Sequence, residues 1–290
     1  RVIKSVQGRS SEDAYTFESG NIAVQLYTAL SPEERQTIHH TIGTLLEQET
    51  APPLSQLVYH FGQSDDLERA VLYTQQAGEA ALKEKDYTSA IAHFQAGFRQ
   101  LPAGTQQRNL RIWFRKKLAH AHFENGDTDE AIDHYQQLLK LIDSPTEQTE
   151  TYRMLGECYF RKGQLDEGVT HIQHALELLG DKLPTGKFSL KWRSGWESLV
   201  RGWGSKQDTD DPEKLRTRAR LHVSLLERLY WSDGERFDTH AFAYLQLANK
   251  LDDPSMKLDA EAIQLTRTEY IKRLMAYNNA EAARLANHAE

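Results

Sequence analysis

Apolar residues recur every three to four positions through most of the chain, which is the spacing of amphipathic helices. An early example follows Ser31 and Pro32, where Ile38, Ile42 and Leu45 fall on one helical face. Serine as N-cap and proline as first helical residue are typical of a helix start. The eight prolines stand at apparent helix boundaries, and few stretches alternate between apolar and polar residues as strands do. The pattern predicts an all-α protein.

Three segments between residues 71 and 176 align without gaps, and each predicts a pair of antiparallel helices. Each segment has a small residue, a second small residue twelve positions later and a bulky residue four positions after that. The three sets are Gly78, Ala90 and Phe94; Ala119, Ala131 and Tyr135; and Gly156, Gly168 and Ile172. Two helices approach closely only where the side chains between them are small, and a bulky residue one turn on fills the space beside the crossing. The spacing therefore predicts three stacked helical hairpins.

Turn residues support the same division into hairpins. Gly126 and Gly163 follow the first helix of the second and third pairs, where a left-handed backbone favours glycine. Lys85 occupies the corresponding position of the first pair. A carboxylate stabilises the start of a helix through the helix dipole, and an aspartate stands near the start of each second helix: Asp86, Asp127 and Asp166.

The three segments resemble the tetratricopeptide repeat. They read GEAALKEKDYTSAIAHFQAGFRQLP, AHAHFENGDTDEAIDHYQQLLKLID and GECYFRKGQLDEGVTHIQHALELLG. The resemblance implies an all-α, right-handed solenoid of helical hairpins, in which the first helix of each pair lines a groove that binds a partner. Carried over to this chain, the groove positions are Gln75, Glu79, Lys83, Trp113, Lys116, His120, Glu124, Glu150, Arg153, Glu157 and Arg161.

A wider resemblance begins at about Phe17. LSPEERQTIHHTIGTLLEQE and the following LVYHFGQSDDLERAVLYTQQAGEAAL are similar to the junction after the nucleotide-binding and winged-helix modules of STAND-type ATPases. Such modules occur in multidomain adenylate or guanylate cyclases and sensor kinases. LLERLYWSDGERFDTHAFAYLQLANKL resembles a later repeat of the cyclase-type proteins. Because the chain starts at Arg1 and ends within a helical pattern, we expect it to be a segment of a larger protein whose catalytic domain lies elsewhere.

These patterns predict four segments. Residues 1–53 form a helical lead-in, a candidate tail of a winged-helix module. Residues 54–180 carry the repeats, and residues 181–211 an inserted basic and aromatic helix with a linker. Residues 212–290 form further, more divergent helix pairs.

Composition narrows the classes of partner. The net charge of -7 disfavours an extended nucleic-acid interface, which needs clustered lysine and arginine. No apolar run approaches the roughly 20 residues that span a bilayer. The single cysteine, Cys158, rules out an internal disulfide and favours a reducing, cytoplasmic environment.

The inserted segment is the most unusual stretch. Its aromatic residues recur at helical spacing beside several basic residues, so we interpret it either as a docking helix or as a helix that packs on the array. The acidic stretch Asp208–Asp211 supplies local neutralisation and favours packing. The docking interpretation rests on Lys191, Trp192, Trp196 and Trp203.

Other chemical motifs are weak. Gly180–Phe188 superficially resembles a phosphate-binding loop, but five residues separate its glycines and Phe188 follows the lysine where Ser or Thr is needed. His120 and His122 are about 200° apart on a helix and cannot share a metal, and His171 and His174 have no third ligand at suitable spacing. We expect neither cofactor nor metal.

The sequence predicts a non-catalytic, cytoplasmic scaffold that belongs to a STAND-type signalling protein. Its expected partner is a protein or peptide, including other domains of the same chain, rather than nucleic acid or a membrane. Two alternatives stay open. The chain is part of a cyclase or kinase whose catalytic domain lies outside it, or it is a membrane-surface or nucleotide-binding helical module.

Overall fold

The computed structural model describes residues 3–7, 13–17, 20–102, 107–181 and 211–263. The chain divides into two compact units, Arg1–Gln137 (unit 1) and Leu138–Glu290 (unit 2). The predicted docking residues of the inserted helix, and residues 264–290, lie outside the described part.

Unit 1 begins with a β-hairpin. Strands β1 (Ile3–Gln7) and β2 (Asp13–Phe17) pair antiparallel, with Ile3 opposite Phe17. The prediction that residues 1–53 form a helical lead-in is therefore wrong for residues 3–7 and 13–17, which are strands. Valine, tyrosine, threonine and phenylalanine favour strands. β1 contains Val6, and β2 ends in Tyr15, Thr16 and Phe17.

The rest of unit 1 is helical. Its helices are α1 (Gly20–Ala29), α2 (Pro32–Leu46), α3 (Leu54–Gly62), α4 (Leu67–Lys83), α5 (Tyr87–Gln100), α6 (Arg108–Asn125) and α7 (Thr128–Leu139), whose last two residues belong to unit 2. From α2 to α6, each helix packs against the next one in sequence.

Unit 2 contains α8 (Pro145–Arg161), α9 (Leu165–Leu178), α10 (Pro212–Leu229) and α11 (Gly234–Leu251), followed by helical residues 254–263. Two hairpins, α8 with α9 and α10 with α11, pack together through contacts between α9 and α10. None of the described helices in either unit is long and apolar enough to cross a membrane. The predicted all-α, helical-hairpin fold is confirmed for the described residues from Gly20 onward.

Helix starts follow from local side-chain bonds. Ser31 Oγ accepts a hydrogen bond from the Glu34 amide at 3.2 Å, and the Glu34 carboxylate accepts one from the Ser31 amide at 2.8 Å. This reciprocal pair satisfies two amides that the helix itself leaves without partners. Asp66 and Asp86 cap α4 and α5 in the same position, each accepting an amide hydrogen bond at 3.0 Å.

The small residues lie at helix crossings as predicted. A Cβ added to Gly78 would lie 2.2 Å from the Phe94 ring, so α4 and α5 approach closely only because position 78 has no side chain. In unit 2, a Cβ on Gly156 would lie 2.7 Å from Ile172 and 3.1 Å from the Gly168 carbonyl oxygen. The bulky residue four positions after the second small residue therefore fills the crossing of its own hairpin.

Phe94 also contacts the next helix. Its ring makes edge contacts with Trp113 and Phe114 of α6, at centroid distances of 5.6 and 6.4 Å. Phe94 and Phe114 are both fully buried. One phenylalanine thus links the α4–α5 hairpin to α6, and this packing fixes α6 relative to α4.

Candidate partner-binding site

Helices α4 and α6 are the first helices of two consecutive hairpins in unit 1, and α5 packs against both. A salt bridge joins α4 to α6 directly, because Lys117 Nζ lies 2.9 Å from Glu79 Oε1. The Lys117 ammonium also lies 5.2 Å from the centre of the Trp113 ring. We call Glu79, Lys117 and Trp113 the α4–α6 bridge.

An apolar pocket of about 520 Å³ lies between the N-terminal parts of α4 and α6. Leu67, Val71 and Leu72 of α4 and Leu110 of α6 form its walls. Leu72 is 44% exposed, so the pocket reaches the surface. The polar residues among its lining are Glu68, Gln75 and Gln107. A hollow with aliphatic walls and a few polar groups is suited to one apolar side chain of a partner.

The predicted groove residues of unit 1 take different positions. Gln75 lines the pocket and Glu79 belongs to the α4–α6 bridge. Trp113 is half-buried, because its ring packs against Phe94 and Phe114 as well as Lys117. The other four predicted residues are exposed on α4 and α6: Lys83, Lys116, His120 and Glu124.

In unit 2 the predicted groove residues of α8 make contacts within the protein. Arg153 donates two hydrogen bonds to the Glu150 carboxylate, at 2.7 and 2.9 Å. Glu157 accepts a hydrogen bond from Ser224 at 2.8 Å and lies 3.5 Å from the Arg228 guanidinium, so it links α8 to α10. Arg161, the last residue of α8, is exposed.

Sequence reasoning missed the pocket walls and Lys117. The walls come from aliphatic residues that a helical pattern assigns to the core. Leu72 was the available signal, because it is a second large apolar residue about 100° around the helix from Val71, and it is 44% exposed. Lys117 stands four positions after Trp113 and therefore on the same face of α6, a spacing that indicates a neighbour.

A second cavity, of about 500 Å³, lies in unit 2. Residues of α10, the start of α11 and the helical segment 254–263 line it: Val223, Leu226, Glu227, Tyr230, Trp231, Phe237, Ala262 and Ile263. It does not involve any of the predicted groove positions.

The cysteine and the histidines of α9 pack against neighbouring side chains. Cys158 is fully buried, and this burial raises the pKa of its thiol to about 12. His171 stacks on Tyr152 and Tyr159, and its ring centre lies 6.3 Å from that of His174. The described residues contain no group of three or more His, Cys, Asp or Glu side chains that could hold a metal ion.

Two predicted candidates fall on residues that are not described. Of the loop Gly180–Phe188, the structure describes only Gly180 and Asp181. The docking residues Lys191, Trp192, Trp196 and Trp203 lie wholly outside the described ranges.

Comparison with known proteins supports the repeat assignment at one hairpin. Residues 117–141, which cover the C-terminal half of α6 and all of α7, match a family model of the tetratricopeptide repeat. Consistent with a hairpin, the His122 ring of α6 stacks on the His134 ring of α7 at a centroid distance of 5.5 Å. Gly126 between the two helices has a φ of 91°. Residues 117–141 are therefore similar to one tetratricopeptide repeat and fold as a helical hairpin.

No curated protein matches the chain in sequence. Solved structures that align with it include YrrB, MamA and BtubC. YrrB, described as a TPR protein with an unusual peptide-binding site, is 12% identical over 84% of this chain and 98% of its own, with a TM-score of 0.40. MamA is 14% identical over 71% and 94%, with a TM-score of 0.34. BtubC from P. vanneervenii is 16% identical over 82% and 93%, with a TM-score of 0.35.

Proposed function

We propose that this chain is a non-catalytic scaffold that binds a partner protein through the α4–α6 pocket of unit 1. The partner would contribute an extended segment that places one aliphatic or aromatic side chain against Leu67, Val71, Leu72 and Leu110. The observation that carries this proposal is the pocket itself, which lies between the first helices of consecutive hairpins.

The chemistry of the pocket favours binding over catalysis. Its polar lining consists of one carboxylate, Glu68, and two amides, Gln75 and Gln107. These groups offer hydrogen bonds to a peptide backbone, but they include no nucleophile with an adjacent base. The Glu79–Lys117 ion pair joins α4 to α6 directly, and the Trp113 ring of α6 packs on Phe94 of α5, which contacts both helices.

Peptide selection tests this proposal. A library of random twelve-residue peptides displayed on phage is selected against the immobilised chain, and the affinities of the selected peptides are then measured for two variants. Leu72→Glu places a charge in the pocket wall. Leu258→Glu changes an equally apolar residue that is 68% exposed on unit 2, so it serves as the matched control.

We expect the selected peptides to share an aliphatic or aromatic residue. Leu72→Glu should weaken their binding at least tenfold, about 1.4 kcal/mol, whereas Leu258→Glu should leave it unchanged. Peptides that bind both variants as well as the original chain would show that the α4–α6 pocket is not the binding site.

We further propose that the scaffold acts in the cytoplasm as part of a STAND-type signalling protein, where it would connect a nucleotide-driven switch to an output domain. The support is the resemblance of Leu30–Glu49 to the junction that follows the ATPase and winged-helix modules. The capping box of Ser31 and Glu34 and the buried His39 give that motif a structural role at α2.

The sequence encoded on either side of this segment tests the signalling context. We expect a Gly-x-x-x-x-Gly-Lys-Ser/Thr loop before it, because that loop supplies the phosphate contacts of such a switch. A cyclase, kinase or DNA-binding module is expected after it. Flanking sequence without a nucleotide-binding loop would remove the STAND assignment and leave the pocket proposal unaffected.

A further inference from the structure

Four polar side chains form a buried network in unit 2. They come from three places: Asp181 follows α9, Arg218 and His222 lie on α10, and His240 lies on α11. His222 is 0% exposed and His240 is 2% exposed. The network therefore connects the end of one hairpin to both helices of the next.

The Asp181 carboxylate is the acceptor at one end of this network. Its Oδ2 atom lies 3.2 Å from Nε of Arg218 and 3.0 Å from Nε2 of His222. Because a carboxylate only accepts hydrogen bonds, Nε2 of His222 must carry a proton. The salt bridge with Arg218 balances the charge of Asp181.

The two imidazole rings meet at the other end. Nδ1 of His222 lies 2.9 Å from Nδ1 of His240. A hydrogen bond at this distance requires one nitrogen to donate and the other to accept. A single proton can lie between the rings. If both Nδ1 atoms carried protons, the two N–H groups would point at each other and the hydrogen bond would be lost; full protonation of both rings would also place two positive charges in contact.

We propose that the His222–His240 contact is a pH-sensitive joint between α10 and α11. Near neutral pH the contact holds the two helices together. Acid separates them by protonating both rings. Opening would free α11, while Arg218 and His222 keep Asp181 and the end of α9 bound to α10. This device goes beyond the partner binding proposed for unit 1, because it changes the internal packing of unit 2.

Arg236 and Glu157 lie on the surrounding helices and bond to partners outside the network. Arg236 of α11 lies 2.9 Å from Asp166 of α9 and 3.3 Å from Asp233. On α8, Glu157 bonds Ser224 and Arg228 further along α10. Asp181 is thus the carboxylate that contacts the histidine pair in the described part of unit 2, and Arg218 already shares it.

The electrostatic surroundings agree with this geometry. Burial lowers the pKa of His240 to about 3, the positive charge on His222 adds to this, and Asp181 opposes it. Burial alone would raise the pKa of Asp181, but the hydrogen bond from His222 and the charges of His222 and Arg218 outweigh burial and lower it.

The sign of the pH effect follows from these directions. The pKa of His240 in the closed state is below its ordinary value of 6.5, so the closed state takes up its proton less readily than the open state. The equilibrium between the closed and the open arrangement of α10 and α11 is unaffected by His240 above pH 6.5. Below that pH, each unit of acidification shifts it towards opening by up to tenfold for one such group. A carboxyl group ordinarily titrates at lower pH than an imidazole, so His240 responds before Asp181 does.

Hydrogen exchange of the full chain at pH 7.0 and pH 5.0, followed by mass spectrometry and corrected for intrinsic exchange rates, tests the joint. In the original chain we expect protection of peptides from α10 and α11 to fall at least tenfold more than protection of peptides from α8. The variant His240→Asn keeps an amide near the position of Nδ1 but cannot become charged. It should lose most of this difference.

His174→Asn on α9 is the control, because His174 is exposed and lies outside the network. It should behave as the original chain does. Equal pH dependence in His240→Asn and the original chain would overturn the proposal, as would unchanged protection at pH 5.0.

If His240→Asn does not fold at pH 7.0, the proposal is tested on the unaltered chain. The Cε1–H resonances in its NMR spectrum report the protonation of each histidine ring. The proposal requires both rings to become positively charged as the hydrogen-exchange protection of α10 and α11 is lost. Positively charged rings with the protection of α10 and α11 retained would contradict it.

Discussion

Lys85 has a backbone conformation that ordinarily belongs to glycine. It follows α4 with a φ of 60°, while Gly126 and Gly163 take φ values of 91° and 74° at the corresponding positions of the next two hairpins. The alignment of the three repeats predicts this left-handed turn. The lysine side chain makes the turn less favourable, because its Cβ crowds the backbone in that region.

Lys85→Gly should therefore stabilise the chain. Relief of the left-handed strain is worth about 1–2 kcal/mol, and the greater freedom of glycine in the unfolded chain returns about 0.5–1 kcal/mol. We expect a net gain of about 0.5–1 kcal/mol, measured as a higher urea midpoint with an unchanged slope. The control is Lys83→Gly, two positions earlier and still helical, which should destabilise the chain. A lower midpoint for Lys85→Gly would contradict this account.

At the scale of single helices, the start of α4 depends on Asp66. Its side chain accepts hydrogen bonds from the Arg69 amide at 3.0 Å and from the Arg69 guanidinium at 2.8 Å. Burial alone would raise the pKa of Asp66, but the Arg69 hydrogen bonds and charge outweigh burial and lower it. The stabilisation is therefore present above pH 4 and is lost as the pH falls through the lowered pKa.

Asp66→Ala should destabilise the chain by about 1 kcal/mol at pH 7, the usual cost of removing an N-cap side chain. Asp66→Asn keeps an oxygen that can accept the amide hydrogen bond and should recover about half of this loss. Urea denaturation at pH 7 measures both changes. Equal losses in the two variants would show that the Arg69 ion pair, rather than the cap, provides the stabilisation.

Helix boundaries are the structural features that the sequence predicts best. The helix start predicted at Ser31 and Pro32 is the start of α2, and Gly126, predicted to follow a first helix, comes directly after α6. Caps and turns decide these boundaries through contacts within a few residues. The N-terminal β-hairpin was missed because two short strands stabilise each other only through their pairing.

Across the whole molecule, buried histidines link stability to pH. Burial lowers the pKa of His39 and His60 in unit 1 and of His171 and His240 in unit 2. Unfolded histidine titrates near pH 6.5. The folded chain therefore takes up fewer protons than the unfolded chain below that pH, and its stability must fall with acidification.

We expect the free energy of unfolding at pH 5.5 to be lower than at pH 7.5 by at least about 1.4 kcal/mol, the contribution of one fully suppressed histidine over one pH unit. Thermal unfolding at the two pH values should show a melting temperature lower by a few degrees at pH 5.5. Identical melting temperatures would mean that these histidines protonate as readily in the folded chain as in the unfolded one.

The sequence by itself determined the helical hairpins of this protein, because helix starts, left-handed turns and small residues at crossings act between neighbouring parts of the chain. The tertiary structure decided which side chains of different hairpins meet. The Glu79–Lys117 bridge, the α4–α6 pocket and the contact of Asp181 with His222 join residues from different hairpins. Such contacts depend on the angle and spacing at which one hairpin packs on the next. Periodicity within a helix carries no information about either quantity.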